Sequence, residues 1–247
     1  MNKTLIALIF LPMSMGAFAQ SCPVNVPNDI HIADDQVSIY QEGRAKLLID
    51  DNNQLFINGK KIDLDVAQQQ AMQAYSDHVK QYLPQMAAIA DDGVLIAKDM
   101  IDELSASFDG NEAFAGANQL VKKYSEEAKQ KFYKDGEFVM PADIFSTVDG
   151  QWKQDFEHAI KNVSAESMAG ILAALSNEMK NGDLNFTEFQ QKLSDLKTRM
   201  QTRIQERSGD VAEKANNLCD SIQGLAEEEK QLQHMIPELK NYPMFEI

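Results

Sequence analysis

Thiols are scarce in this chain: of its 247 residues only Cys22 and Cys219 are cysteine. A Cys-x-x-Cys redox pair and a thiolate zinc set are both excluded by that count. Histidine is nearly as sparse. His31, His78, His158 and His234 stand far apart, with no i,i+4 partner and no His-Glu-x-x-His, so each reads as solvated or singly hydrogen-bonded. Tryptophan occurs once, at Trp152, which leaves no aromatic platform for a sugar although neighbouring carboxylates are plentiful. The Gly-x-Ser-x-Gly elbow and the Gly-x-x-x-x-Gly-Lys phosphate loop are missing as well. No catalytic residue, metal ligand or cofactor is expected.

Positive charge is also short. Lysine and arginine number 23 against 38 aspartates and glutamates, for a formal net charge of −15 at pH 7. Such a surface repels phosphate backbones and anionic lipid, so nucleic acid and membrane surfaces are poor partners. Its simplest role is to keep an exported protein in solution.

Long apolar runs are confined to the start. Lys3, the apolar residues 5–11 and Ala17-Phe18-Ala19 form the three regions of a secretory leader, so residues 1–19 are expected to be a signal peptide. No later stretch approaches the ~20 uncharged residues of a transmembrane helix. Cys22 follows the cleavage site closely, but Ala19-Gln20-Ser21 makes a poor lipobox, so a soluble product is expected. In an oxidising compartment an isolated even pair of cysteines joins, which predicts a Cys22–Cys219 disulfide. Closing nearly the whole mature chain into one loop would stabilise the fold by ~5 kcal/mol. It would also pin the mature N-terminus to the last long helix.

Residues 23–65 carry the only β-like pattern, with strand candidates at 37–41, 44–49, 54–57 and 60–64. Glu42-Gly43, Asp50-Asp51-Asn52-Asn53 and Asn58-Gly59 separate them, and Asn-Gly is the strongest two-residue hairpin signal. Counting from the turns sets Leu48 opposite Leu55 and Leu55 opposite Ile62. That places Val37, Ile39, Leu48, Leu55, Ile57, Ile62 and Leu64 on one face. Such a meander needs helices beneath it.

From residue 66 onward the pattern is helical. Met72, Tyr75, Val79, Tyr82, Met86, Ile89, Gly93, Ile96 and Met100 step by three and four, with Pro84 either kinking this helix or starting a second one. Further helices carry Phe114 to Phe132, stopped by Asp135-Gly136, and Ile144 to Met179. The last runs over 185–233, with Arg207-Ser208-Gly209-Asp210 as the place for a break. Tyr242-Pro243-Met244-Phe245 is expected to pack loosely.

Two constellations invite chemistry and have simpler explanations. Asn177 to Phe189 fits the spacing of a calcium-binding EF-hand loop, but Met179 occupies a ligand position that a hard cation rejects. A helical hairpin, with Gly182 ending one helix and Asn185 and Glu188 capping the next, accounts for the same residues. Met72, Met86 and Met100 lie two heptads apart, too distant for one copper sphere, and fill a core seam instead. Glu227-Glu228-Glu229, Asp91-Asp92 and Glu126-Glu127 read as solvated helix faces.

With Cys22 soon after cleavage, Asn58-Gly59-Lys60, Leu83-Pro84, Gly93, Met168-Ala169-Gly170-Ile171-Leu172 and the late Cys219, the chain resembles the YggN-like family of uncharacterised periplasmic proteins of Gram-negative bacteria. The resemblance implies a periplasmic location and carries over no functional residue. The fold expected from the residues is mainly α: an elongated antiparallel bundle of long helices (66–247) with a small N-terminal antiparallel β-meander (20–65), forming one unit. The function expected is non-catalytic binding or scaffolding in the cell envelope. Its partner would be an envelope protein, or, on the alternative carrier reading, a small hydrophobic ligand or lipid. An unrecognised hydrolase is the third reading.

Overall fold

The structure is a computed structural model that describes residues 22–107, 114–145 and 186–247. The leader, Trp152, His158, most of the helix expected over 144–179 and the loop before Asn185 lie outside the described residues.

Turn chemistry builds the sheet. Asp34-Asp35, Glu42-Gly43, Asn58-Gly59 and Asp135-Gly136 each place two successive residues at positive φ. This is the geometry of two-residue hairpin turns, whose twist matches that of the strands they join. The four turns connect β1 (Asp29–Ala33) to β2 (Gln36–Gln41), β2 to β3 (Arg44–Ile49), β4 (Leu55–Ile57) to β5 (Lys60–Lys61), and β6 (Tyr133–Lys134) to β7 (Glu137–Met140). All pairings are antiparallel, in the order β5-β4-β3-β2-β1-β7-β6.

This seven-stranded sheet overturns the expected elongated helical bundle with a small N-terminal meander. The meander is larger by β1 and is extended on its β1 side by a hairpin from far along the chain. Asp29–Ala33 alternates Ile30 and Ile32 with polar neighbours, a period-2 pattern too short to stand out. Tyr133–Lys134 has two residues, and Glu137–Met140 looks like an extended link before Pro141. Their partner, β1, lies beyond three helices, and local pattern cannot reveal such a pairing.

The register also differs from expectation by one residue. The Asp50 carboxylate accepts the N–H groups of Asn52 and Gln54, and Asn53 takes a positive φ of 56°. The Asp50 N–H donates to the Gln54 carbonyl at 3.1 Å, which leaves three residues in the loop, and Ile49, not Leu48, pairs with Leu55. A one-residue slip exchanges the faces of a strand. Leu47 and Ile49 are buried with Val37, Ile39 and Leu55, while Leu48 turns outward.

Four helices stand among the described residues, and the first opens on a full capping box. Asp65 opens α1 (Val66–Tyr82): its carboxylate accepts the Gln68 N–H at 2.8 Å, while its own N–H donates to Gln68 Oε1 at 2.9 Å. Leu83 and Pro84 end α1, and α2 (Gln85–Ser107) starts directly after. Next comes α3 (Ala115–Phe132). The last helix, α4, is continuous over Phe186–Met235, 50 residues, with no break at Gly209. A single glycine costs a helix only ~1 kcal/mol, and α2 grips α4 around this point. Lys214 pairs with Asp92, Arg207 with Asp99, and Arg203 and Arg199 with Glu103, an antiparallel ladder of charges. A short 3-10 turn (Pro237–Asn241) leads into the tail.

One core joins these parts. The inner sheet face supplies Ile30, Ile39, Leu47, Ile49 and Leu55, α1 supplies Met72, Tyr75, Val79 and Leu83, and α4 supplies Ile222, Leu225 and Leu232. Met244 and Phe245 enter the same core, against the expectation of a loose tail. Each fully buried side chain of this kind contributes ~1.5–3 kcal/mol. Among the described residues only the C-terminal half of α4 takes part. Between Thr187 and Asp210, Leu196 is its one buried side chain among the described residues. The fold is therefore a sheet-bearing head, with α2, α3 and the first half of α4 forming an arm.

Candidate functional site

The segment after Cys22 and the C-terminal tail meet beside α4, and the expected disulfide is there. Cys22 is bonded to Cys219, with Cα atoms 5.6 Å apart. Gln223, one turn along, donates to the Cys219 sulfur at 3.4 Å. Three residues past Cys22, Asn25 pairs with Glu246 through two backbone hydrogen bonds of 2.8 and 2.9 Å. The tail is then strapped down by side chains from several elements. Asn28 Nδ2 donates to the Pro243 carbonyl at 2.8 Å, Asn58 Nδ2 to the Tyr242 hydroxyl at 2.9 Å, and Gln68 Nε2 to the Met235 carbonyl at 2.7 Å.

Glu229 is the centre of this clasp. Its Oε1 accepts the Met244 N–H at 2.7 Å and its Oε2 the Phe245 N–H at 2.9 Å. Only 4 % of the residue is exposed. Burial pushes its carboxyl up from the ordinary 4.5 to about 7, the two N–H groups oppose that rise, and Glu246 adds to it. Tyr75, across on α1, is pushed up as well, by burial first and then by Glu229 and Glu228. Among the described residues the Tyr75 hydroxyl and the Ser76 hydroxyl are buried with no hydrogen-bond partner. His78, one turn further along α1, faces Glu228 with its Nδ1 2.9 Å from Oε2.

This corrects the expectation of a solvated Glu227-Glu228-Glu229 face. Glu227 is exposed, Glu228 is half-buried against His78, and Glu229 lies inside. The signal was present in the spacing. Ile222, Leu225, Glu229, Leu232 and Ile236 step by three, four, three and four, so Glu229 falls on the buried seam.

The outer sheet face is a second candidate surface. Cross-strand pairing sets Lys61, Phe56, Leu48, Ser38 and His31 in one row that ends at the buried Val139. His31 stacks on Tyr40 at 4.1 Å between ring centroids, and its Nδ1 lies 3.5 Å from the Glu137 carboxylate. Both edges of the sheet are two-residue strands bearing lysine, Lys60-Lys61 and Tyr133-Lys134. Short, charged edges resist strand addition, so an open meander edge is a poor docking site. Near the clasp, Cys22, Pro23, Val24, Asn25, Phe145, Glu246 and Ile247 line a depression of about 550 Å³ that is open to solvent.

The remaining sequence candidates do not converge. His31 and His78 each face one carboxylate and His234 is exposed. Met72 is in the core, while Met86 and Met100 are half-buried along α2. Among the described residues no group of three His, Cys, Asp or Glu side chains is placed to hold a metal ion, and no helix is long and apolar enough to cross a membrane.

Fold and clasp together define an α+β protein whose head is closed by a disulfide and by its own C-terminal tail. The chain belongs to the family described as protein of unknown function (DUF2884), whose model matches residues 22–245. The matched span runs from Cys22, the first cysteine of the clasp, to Phe245, whose N–H group Glu229 receives. Comparison with curated proteins and with solved structures returns no match.

Proposed function

We propose that this protein is a non-catalytic periplasmic scaffold of the YggN-like group, holding an envelope partner along its helical arm. The observation that carries this reading is the division of α4. One half is fixed in the head beside the disulfide, and the other half leaves it with almost all of its described side chains exposed. Fifty residues of helix span about 75 Å, far more than a head of this size needs for its own core. The ion-pair ladder to α2 stiffens the arm. A disulfide that closes the head fits an oxidising compartment, and the acidic surface favours a protein partner over nucleic acid or anionic lipid.

Photocrosslinking in cells tests this directly, with a photoreactive residue placed in turn at Gln191, Gln201 and Gln205 on the arm and at Lys61 on the head. The expected result is a reproducible envelope protein captured from the arm positions and not from Lys61. Capture from the head alone, or from no position, contradicts the proposal. Native mass spectrometry of the same material separates the carrier reading, for which a bound lipid or hydrophobic solute is the required result.

A further inference from the structure

We propose that the C-terminal segment is a proton-controlled strap, shut when the Glu229 carboxyl is protonated and released as that carboxyl ionises. The geometry carries the argument. A carboxyl group 4 % exposed grips two consecutive backbone N–H groups of the tail, so the tail cannot leave without giving Glu229 to water. The charges around it are of the wrong sign to hold an anion. From the tail it faces Glu246, from α1 the hydroxyl of Tyr75, and its own helix adds Glu228, already taken by His78. No cation among the described residues pairs with Glu229. Two amide N–H groups are then its only compensation for lost water, and they do not offset burial, which leaves the carboxyl half ionised near pH 7.

The direction of the switch follows from linkage. In the closed state Glu229 holds its proton up to about pH 7, whereas in water it would lose it near 4.5. The closed state therefore binds more protons between these values, and raising the pH across that window favours opening. From pH 5 to pH 8 the opening constant should rise on the order of fifty-fold. Opening uncovers the Glu229 carboxyl and the apolar bed of Met244 and Phe245. The disulfide is outside this motion: Cys22 stays on α4 while Glu246 parts from Asn25.

The test is amide hydrogen exchange at Met244 and Phe245, read by NMR in the oxidised mature protein from pH 5 to pH 8 and divided by the intrinsic rates. Protection at these two amides is expected to fall tens-fold in the wild type and to stay level with pH in Glu229→Gln. A wild-type profile that is flat, or that rises with pH, overturns the proposal. Direct titration of the Glu229 carboxyl by carbon NMR needs no variant. A midpoint near 7 supports the strap, and one at or below 4.5 overturns it.

Discussion

Removing the disulfide should destabilise the head through its unfolded state. In Cys22→Ser/Cys219→Ser the closed form loses few contacts, because Val24 and Val26 remain buried and Asn25 still pairs with Glu246. The unfolded chain gains much more. The bridge closes a sequence separation of 197 residues, and the chain-entropy relation assigns such a loop about 5 kcal/mol at 25 °C. Domains of this kind are stable by roughly 5–15 kcal/mol in total, so the loss is a large fraction. In urea, with a slope of about 3 kcal/mol/M, the midpoint should fall by about 1.7 M. Unfolding followed by far-UV circular dichroism measures this, and reduction of the wild type should reproduce the shift of the double variant. A loss under about 1 kcal/mol would refute the reasoning, since it would mean that the unfolded chain keeps its two ends together without the bond.

Four further substitutions probe separate parts of the fold by the same denaturation assay. Leu47→Ala should cost about 2–5 kcal/mol and Leu48→Ala less than about 1.5, because only Leu47 points into the core; the reverse order would restore the other register. Asp65→Ala removes the side-chain acceptor of the α1 capping box and should cost about 1 kcal/mol. Arg203→Ala, on the exposed ladder of the arm, should cost less than about 1 kcal/mol, with the difference shrinking as salt is added.

What could be read from the sequence divides by the range of the interaction responsible. Caps and turns are local, so the hairpin at Asn58-Gly59 and the helix start after Pro84 stand where their residue types require, whereas Asp135-Gly136, expected to stop a helix, is the turn between β6 and β7 and α3 ends at Phe132. The disulfide is distant in sequence but needs no geometry to predict, since Cys22 has one possible partner. The register of β3 on β4 turned on one side chain, Asp50, whose two backbone hydrogen bonds shorten the loop by a residue. Position β7 beside β1 rests on pairing between His31 and Val139, across three helices, for which no local pattern exists. Glu229 departs from expectation for another reason: residue type argues for solvent, whereas seam spacing argues for the core, and the spacing prevails. The tail followed with it, because Met244 and Phe245 have a buried place only if a carboxyl group receives their N–H groups.

The account as a whole requires one unbroken rod joining head to arm. Spin labels at Lys197 and Lys230, both exposed on α4, measure this by electron–electron double resonance. Thirty-three residues of uninterrupted helix separate them by about 50 Å, so a single narrow distance distribution near that value is predicted. A broad distribution, or one centred well below about 40 Å, would place a hinge at residues 207–210 and contradict the scaffold.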